Sequence, residues 1–303
     1  MTRAALEELL RDFDRRKPRA LARAISFAEA GRGGELVRAL YAKTGRAMTL
    51  GLTGPPGVGK STLSSGLVRK ARSLGKSVGV VSVDPSSPFS HGALLGDRIR
   101  LAEHFTDQDV FIRSMASRGH LGGLAGATAD AVLLMDAFGF DVVLIETVGV
   151  GQSEVAIAEL AQTTLVALQP GSGDSIQVLK AGIMEIADVF VVNKADHPMA
   201  NQLQREIRSM MEMQQWSGWI PELVMTQALA GDGIDELWNA IEHHMAYLNE
   251  TGEIAQRRRE AFTHQVRQLA LGRLERRLDR AIADENADGI DPYEAADRVL
   301  STF

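Results

Sequence analysis

Hydrophobic positions along this chain change their period twice. In residues 1–45 they recur every three or four places, at Leu6, Leu9, Leu10 and Phe13 and again at Leu21, Ala24, Ile25 and Ala28, which lines one face of a helix. Pro18 and the "GRGG" at 31–34 punctuate the stretch, predicting an N-terminal helical extension over 1–45. From about 47 to 230 the apolar residues cluster into short runs instead: "MTLGLTG", "SVGVVSVD", "DVFIRS", "FDVVLIET", "TTLVALQP", "DVFVVNKAD" and "ELVMTQA". Unbroken apolar runs, rather than alternation, mark strands buried on both faces, and helical stretches separate them. Over 46–248 the pattern therefore predicts an α/β domain, a doubly wound, mostly parallel sheet flanked by helices. Beyond about 235 the strand signal stops. Residues 249–303 are expected to form a C-terminal helical arm, highly charged but carrying an apolar row at Phe262, Val266, Leu269, Leu274, Leu278 and Ile282. Such a row either packs on its own domain or meets a second copy of the chain.

Composition narrows the chemistry. With 45% hydrophobic and 24% charged residues the chain is globular. It has no Cys, which removes disulfides, Cys-ligated zinc, iron–sulfur clusters and thiol nucleophiles, and fits a reducing, cytoplasmic location. A net charge of −6 argues against nucleic-acid binding through a general basic field. No leader pattern and no long apolar run point to a membrane.

The apolar run ending at residue 53 breaks into "GPPGVGKS", Gly54 to Ser61, with the spacing Gly-x-x-x-x-Gly-Lys-Ser. Glycines let a backbone wrap tightly with its N–H groups turned inward, an anion nest at the start of a helix. Gly54, Gly57, Val58, Gly59, Lys60, Ser61 and Thr62 are the expected phosphate cradle. Lys60 would reach the β- and γ-phosphates, and the Ser61 hydroxyl would ligate magnesium.

A second constellation, "VVNKAD" at 191–196, supplies Asn193, Lys194 and Asp196 at the end of another apolar run. A carboxylate there accepts the N1–H and the exocyclic amino group of guanine, whereas adenine offers it an unprotonated N1, so the nucleotide expected is GTP or GDP. Asn193 would hold the loop or touch the base edge, and the Lys194 stem would cover the ring. "TQALAGDG" at 226–233 fits a further base-side loop, with Thr226, Gln227 and Ala228 near the guanine oxygen.

Acids complete the expected site. Glu146 ends "FDVVLIET" and precedes Gly149 by three residues, as in segments that sense magnesium and the γ-phosphate, although many GTPases have Asp there. Val150 stands where a water-orienting Gln would follow Gly149, which predicts slow intrinsic hydrolysis and acceleration by a partner. Asp84 and Asp97, in "VSVDPSSPFSHGALLGDRIRL", are candidates for polarising water or entering the magnesium shell; each could instead cap a turn or helix. "IRSMASRGHLGGLAG" at 112–126 reads as a glycine-rich loop whose Arg113 or Arg118 could contact phosphate.

Taken together, "TGPPGVGKST", "VDPSSPFSHGALLGDRIR", "RSMASRGHLGGLA", "ETVGVGQSE" and "QPGSGDSIQVLKAGIMEIADVFVVNKAD" closely resemble the MeaB/ArgK family of P-loop GTPases, over about residues 5 to 250. The resemblance implies hydrolysis of GTP to GDP and phosphate by a chaperone of an adenosylcobalamin-dependent acyl-CoA mutase, chiefly methylmalonyl-CoA mutase. Such a chaperone gates cofactor loading and protects the mutase, and it is a homodimer joined through a C-terminal helical arm. Lys60 and Ser61 become the phosphate and metal residues. Asp84, Asp97 and Glu146 match acids of the magnesium and switch region, and Asn193, Lys194 and Asp196 match the guanine loop. The segment 169–180 matches an additional switch loop, making Asp174 and Lys180 candidates for coupling to the mutase. With no Cys and no His-rich tract, delivery of nickel or zinc is not expected. Two rival readings remain at this point. One is a module in which GTP binding alone drives assembly; the other is a transport-associated kinase or ATPase, an older label for the family.

Overall fold

The computed structural model describes residues 2–84, 101–116, 121–147, 157–171, 183–284 and 291–303. All seven apolar runs form strands: β1 (Met48–Thr53), β2 (Val78–Asp84), β3 (Val110–Ala116), β4 (Val142–Thr147), β5 (Thr163–Leu168), β6 (Val189–Val192) and β7 (Glu222–Met225). They make one parallel sheet in the order β3-β2-β4-β1-β5-β6-β7. Every residue of β4, β5 and β6 is buried, as unbroken apolar runs require. The chain builds outward from β1 through β2 and β3, returns as β4, then crosses to β5 on the far side. A crevice therefore opens at the carboxyl end of β1, where the connections diverge.

Alternation along the strands feeds two layers of core. Leu50, Leu52, Val80, Leu144 and Leu165 face α4 (Lys60–Ser73) and α7 (Ile234–Thr251), meeting Leu63, Leu67, Trp238 and Ile241. Val81, Val143 and Ile145 face the other way, onto α5 (Leu121–Phe138). The N-terminal helices α1 (Arg3–Asp14), α2 (Pro18–Glu29) and α3 (Gly34–Leu40) share that second core through Phe13, Leu21, Ile25 and Leu36. Pro18 opens α2, where its fixed φ and missing N–H suit the first turn. On the same side, α6 (Ala200–Met213) lays Leu203 and Ile207 against Val166 and Phe190.

The segment 112–126, expected as a loop, is regular wherever it is described. Residues through Ala116 belong to β3, paired with β2 from Val78↔Val110 to Asp84↔Ala116, and α5 starts at Leu121. Arg113 is accordingly directed at α2, where its guanidinium pairs with Glu29 and donates to Ser26 Oγ at 3.1 Å. It is no phosphate ligand; Arg118 lies outside the described residues.

The segment 249–303, expected as the arm, opens in the last turn of α7 and continues as α8 (Glu253–Asp284), whose 32 residues span about 48 Å at 1.5 Å per residue. Its base packs on α5 and α7, and α9 (Pro292–Leu300) returns against it. Arg257 clasps Asp188 with two hydrogen bonds, Nη1 to Oδ2 at 2.8 Å and Nη2 to Oδ1 at 2.7 Å, and also donates to the Gln162 carbonyl at 2.8 Å. Further along, Phe262, Val266, Leu269, Leu274 and Ile282 are exposed. Phe262 leans on the Tyr41 ring, 6.4 Å between centroids, and Leu278 is half-buried, so the described residues cover the row only in part.

Candidate functional site

The crevice is built first from the loop after β1. Gly54 has φ of 137°, and a Cβ there would overlap the Ala167 carbonyl of β5; Gly59, with φ of 91°, would set a Cβ 2.6 Å from Asn193 Nδ2. Both positions need glycine, the first for the close approach of two strands and the second for a loop crossing. Val58 is buried and anchors the turn, after which Lys60 begins α4. The Lys60 ammonium donates to the carbonyls of Gly54 at 2.6 Å and Pro55 at 3.0 Å, so the charge already lies against the loop meant for phosphate.

Beneath α4 sits Glu146. Its parity on β4 puts it on the face of Val142 and Leu144, and it is only 5% exposed. Ser61 Oγ donates to its Oε1 at 2.7 Å and Ser64 Oγ to its Oε2 at 2.7 Å. A buried carboxylate one hydrogen bond from the Ser61 hydroxyl is a hard-oxygen donor set that fits magnesium. Neighbouring Thr147 and Thr53 pair through their hydroxyls at 3.2 Å. Asp84 closes β2 at the same end of the sheet, one step past the Val83↔Thr147 pair. Its side chain lies outside the described residues, as do Asp97, Gly149, Val150, Asp174 and Lys180. A third serine of α4, Ser65, bonds Glu103 and lies 3.0 Å from His104 Nε2. Hydrogen bonds from Ser65 and Arg69 hold Glu103 below its ordinary range, while burial pushes the His104 imidazole down.

The base side is organised by Asn193, which is buried and bonded in four directions. Its backbone N–H donates to Leu168 O at 2.9 Å and its Nδ2 to Val58 O at 2.8 Å. Its Oδ1 accepts from Thr226 Oγ1 and from the Ala228 N–H, each at 3.1 Å. The Ala228 amide, expected near the guanine oxygen, thus serves to fasten the loop. Lys194 adopts a positive φ of 59° and reaches back to Gly57 O at 2.9 Å and Gln169 Oε1 at 2.6 Å. Asp196 is exposed, and Gln227 starts a small closed loop by donating its N–H to Asp232 O at 2.9 Å. Lys60, Ser61, Glu146, Asn193, Lys194 and the 226–228 loop therefore converge, by direct bonds, on one end of the sheet. Ser64 escaped the motif reading because it occupies no position that a motif constrains, and Gln169 entered it only as the first residue of the 169–180 segment, with no role of its own.

A family model described as methylmalonyl Co-A mutase-associated GTPase MeaB matches residues 21–283. The chain belongs to the MeaB family. Similar proteins include one from Pyrococcus horikoshii named as a GTPase, 43% identical with 97% of each chain covered, and GTPase ArgK of Escherichia coli, 33% identical over 94% of this chain and 88% of that one. The mouse methylmalonic aciduria type A homolog, a mitochondrial protein, is 37% identical over 69% of this chain and 52% of its own length. Among solved structures, an LAO/AO transport system kinase superposes with a TM-score of 0.75 at 25% identity, covering 100% of this chain and 98% of that one. This MeaB-family member is a P-loop GTPase: it binds guanine nucleotide and hydrolyses GTP.

Proposed function

We propose that this GTPase is the nucleotide-dependent chaperone of an adenosylcobalamin-dependent acyl-CoA mutase, methylmalonyl-CoA mutase in the first instance, gating the loading of its cofactor and protecting it. The observation that carries the proposal is a mutase-associated family model matching the chain from α2 to the end of α8, glycine loop and arm together. The name of the mouse relative supports the same partner. The exposed apolar row on α8 supports a homodimer joined through the arm, and the absence of Cys supports action in the cytoplasm.

In this scheme the amides of 57–62 and the Lys60 ammonium take the phosphates, Lys60 exchanging the carbonyls of Gly54 and Pro55 for β- and γ-oxygens. Ser61 and Glu146, joined by Asp84 and Asp97, would hold magnesium, which neutralises phosphate charge when bound. Asp196 accepts the guanine N1–H and amino group, and the Lys194 stem covers the ring. Water then attacks the γ-phosphorus in line, the bond to the bridging β,γ-oxygen breaks, and GDP leaves with that oxygen. Positioning and charge stabilisation supply the acceleration.

Pull-down of methylmalonyl-CoA mutase by the full chain, loaded in turn with GDP and with a non-hydrolysable GTP analogue, tests the partner. Single-turnover hydrolysis with and without the mutase tests the coupling. Association that differs between the nucleotides and a faster turnover are expected; no association with either, together with identical rates, would overturn the proposal.

A further inference from the structure

The geometry points to Ser64 as a positioning residue for the acid of the metal shell: its hydroxyl fixes the Glu146 carboxylate at the second oxygen, beyond the hold that Ser61 has on the first. It rests on the proposed role of Glu146 beside magnesium and deepens it. Glutamate has one more rotatable bond than aspartate. A single hydrogen bond at Oε1 leaves the carboxylate free to turn about its terminal bond, and a second donor at Oε2 removes that freedom. Ser61 and Ser64 stand three residues apart in α4, neighbours on one helix face, so a single rigid element supplies both donors.

Burial makes the second bond consequential. Ser64 is fully buried and Glu146 is 5% exposed, so solvent does not readily replace the hydroxyl when it is removed. The two serines also divide the labour. The Ser61 oxygen keeps lone pairs for a cation while its hydroxyl donates to Oε1; Ser64, by its bond to Oε2, orients the carboxylate. Supporting bonds of this kind tune metal affinity through the ligand they hold.

The test titrates magnesium against retention of a fluorescent GDP analogue by the full-length protein, with binding in EDTA as the reference. Ser64→Ala is expected to raise the magnesium half-saturation roughly 10-fold. GDP binding in EDTA should stay at its wild-type value, whereas a general packing defect would lower both. Glu146→Asp is too short to span both serines, so it should raise the half-saturation by itself and make Ser64→Ala silent when the two are combined. Ser64→Thr keeps the hydroxyl and should remain close to wild type; Ser64→Cys, similar in shape but only a weak donor, should raise the half-saturation as alanine does and carries the test should the alanine variant fold poorly. An unchanged half-saturation in Ser64→Ala, with Glu146→Gln raising it, overturns the assignment of Ser64 alone. If Glu146→Gln also leaves it unmoved, the metal role of Glu146 falls and this inference with it.

Discussion

Two aspartates show how position alone sets what a carboxylate does. Asp196 is exposed at the mouth of the base loop, ready to meet a ligand. Replacing it with Asn turns one acceptor oxygen into a donor, which in the proposed base contact would face the guanine amino group but match the 2-oxygen of xanthine. Calorimetry on Asp196→Asn should show GDP affinity falling by roughly 100-fold or more, with XDP now preferred. Asp130, on α5, is the contrary case. Burial raises its carboxyl from the ordinary 3.8 to about 6, against a hydrogen bond from Gln265 of the arm. The folded state therefore holds this proton more tightly than the unfolded chain does. Its contribution is fully present below pH 3.8 and is lost as the pH rises through 6. Asp130→Asn should accordingly be more stable than wild type at pH 8, by at most about 3 kcal/mol, and near parity at pH 4. Urea unfolding at the two pH values measures the difference.

Between elements, the site is a set of bridges from strand to strand. Gln169, just after β5, fastens Lys194, just after β6, while Lys194 also grips Gly57 after β1. Gln169→Leu should free the lysine proposed to cover the base and speed release of GDP several-fold, whereas Gln169→Glu keeps an acceptor and should remain slow; stopped-flow release of a fluorescent GDP compares them. These bridges explain what the sequence reveals and what it hides. The glycine loop is legible because positive φ and close backbone approach admit few residues, and the strands are legible because double burial excludes polar ones. The bonds of Ser64 and Gln169 are hidden because a serine in a helix and a glutamine after a strand are ordinary, and their partners lie 82 and 25 residues away. Arg113 misled for the same reason, its partner Glu29 being 84 residues upstream. Asn193 could be read as a loop holder or a base contact, and only the fold shows that the loops meet upon it.

As a whole molecule, the protein is a nucleotide-binding sheet with a long lever. The lever's apolar row is the face proposed to pair with a second copy. Val266→Glu combined with Leu274→Glu should yield monomers in sedimentation equilibrium while leaving hydrolysis per chain near its wild-type rate. The root of the lever lies at the other end of the strands from the proposed nucleotide site. Asp188, which Arg257 clasps, precedes β6, whereas Asn193 and Lys194 follow it. From Asp188 to Asn193 the chain takes five residue steps along β6, about 16 Å at 3.3 Å per residue. A dye pair carried near the tip of α8 would therefore report two molecules joining without crowding the triphosphate, giving a signal for assembly and another for turnover from one sample.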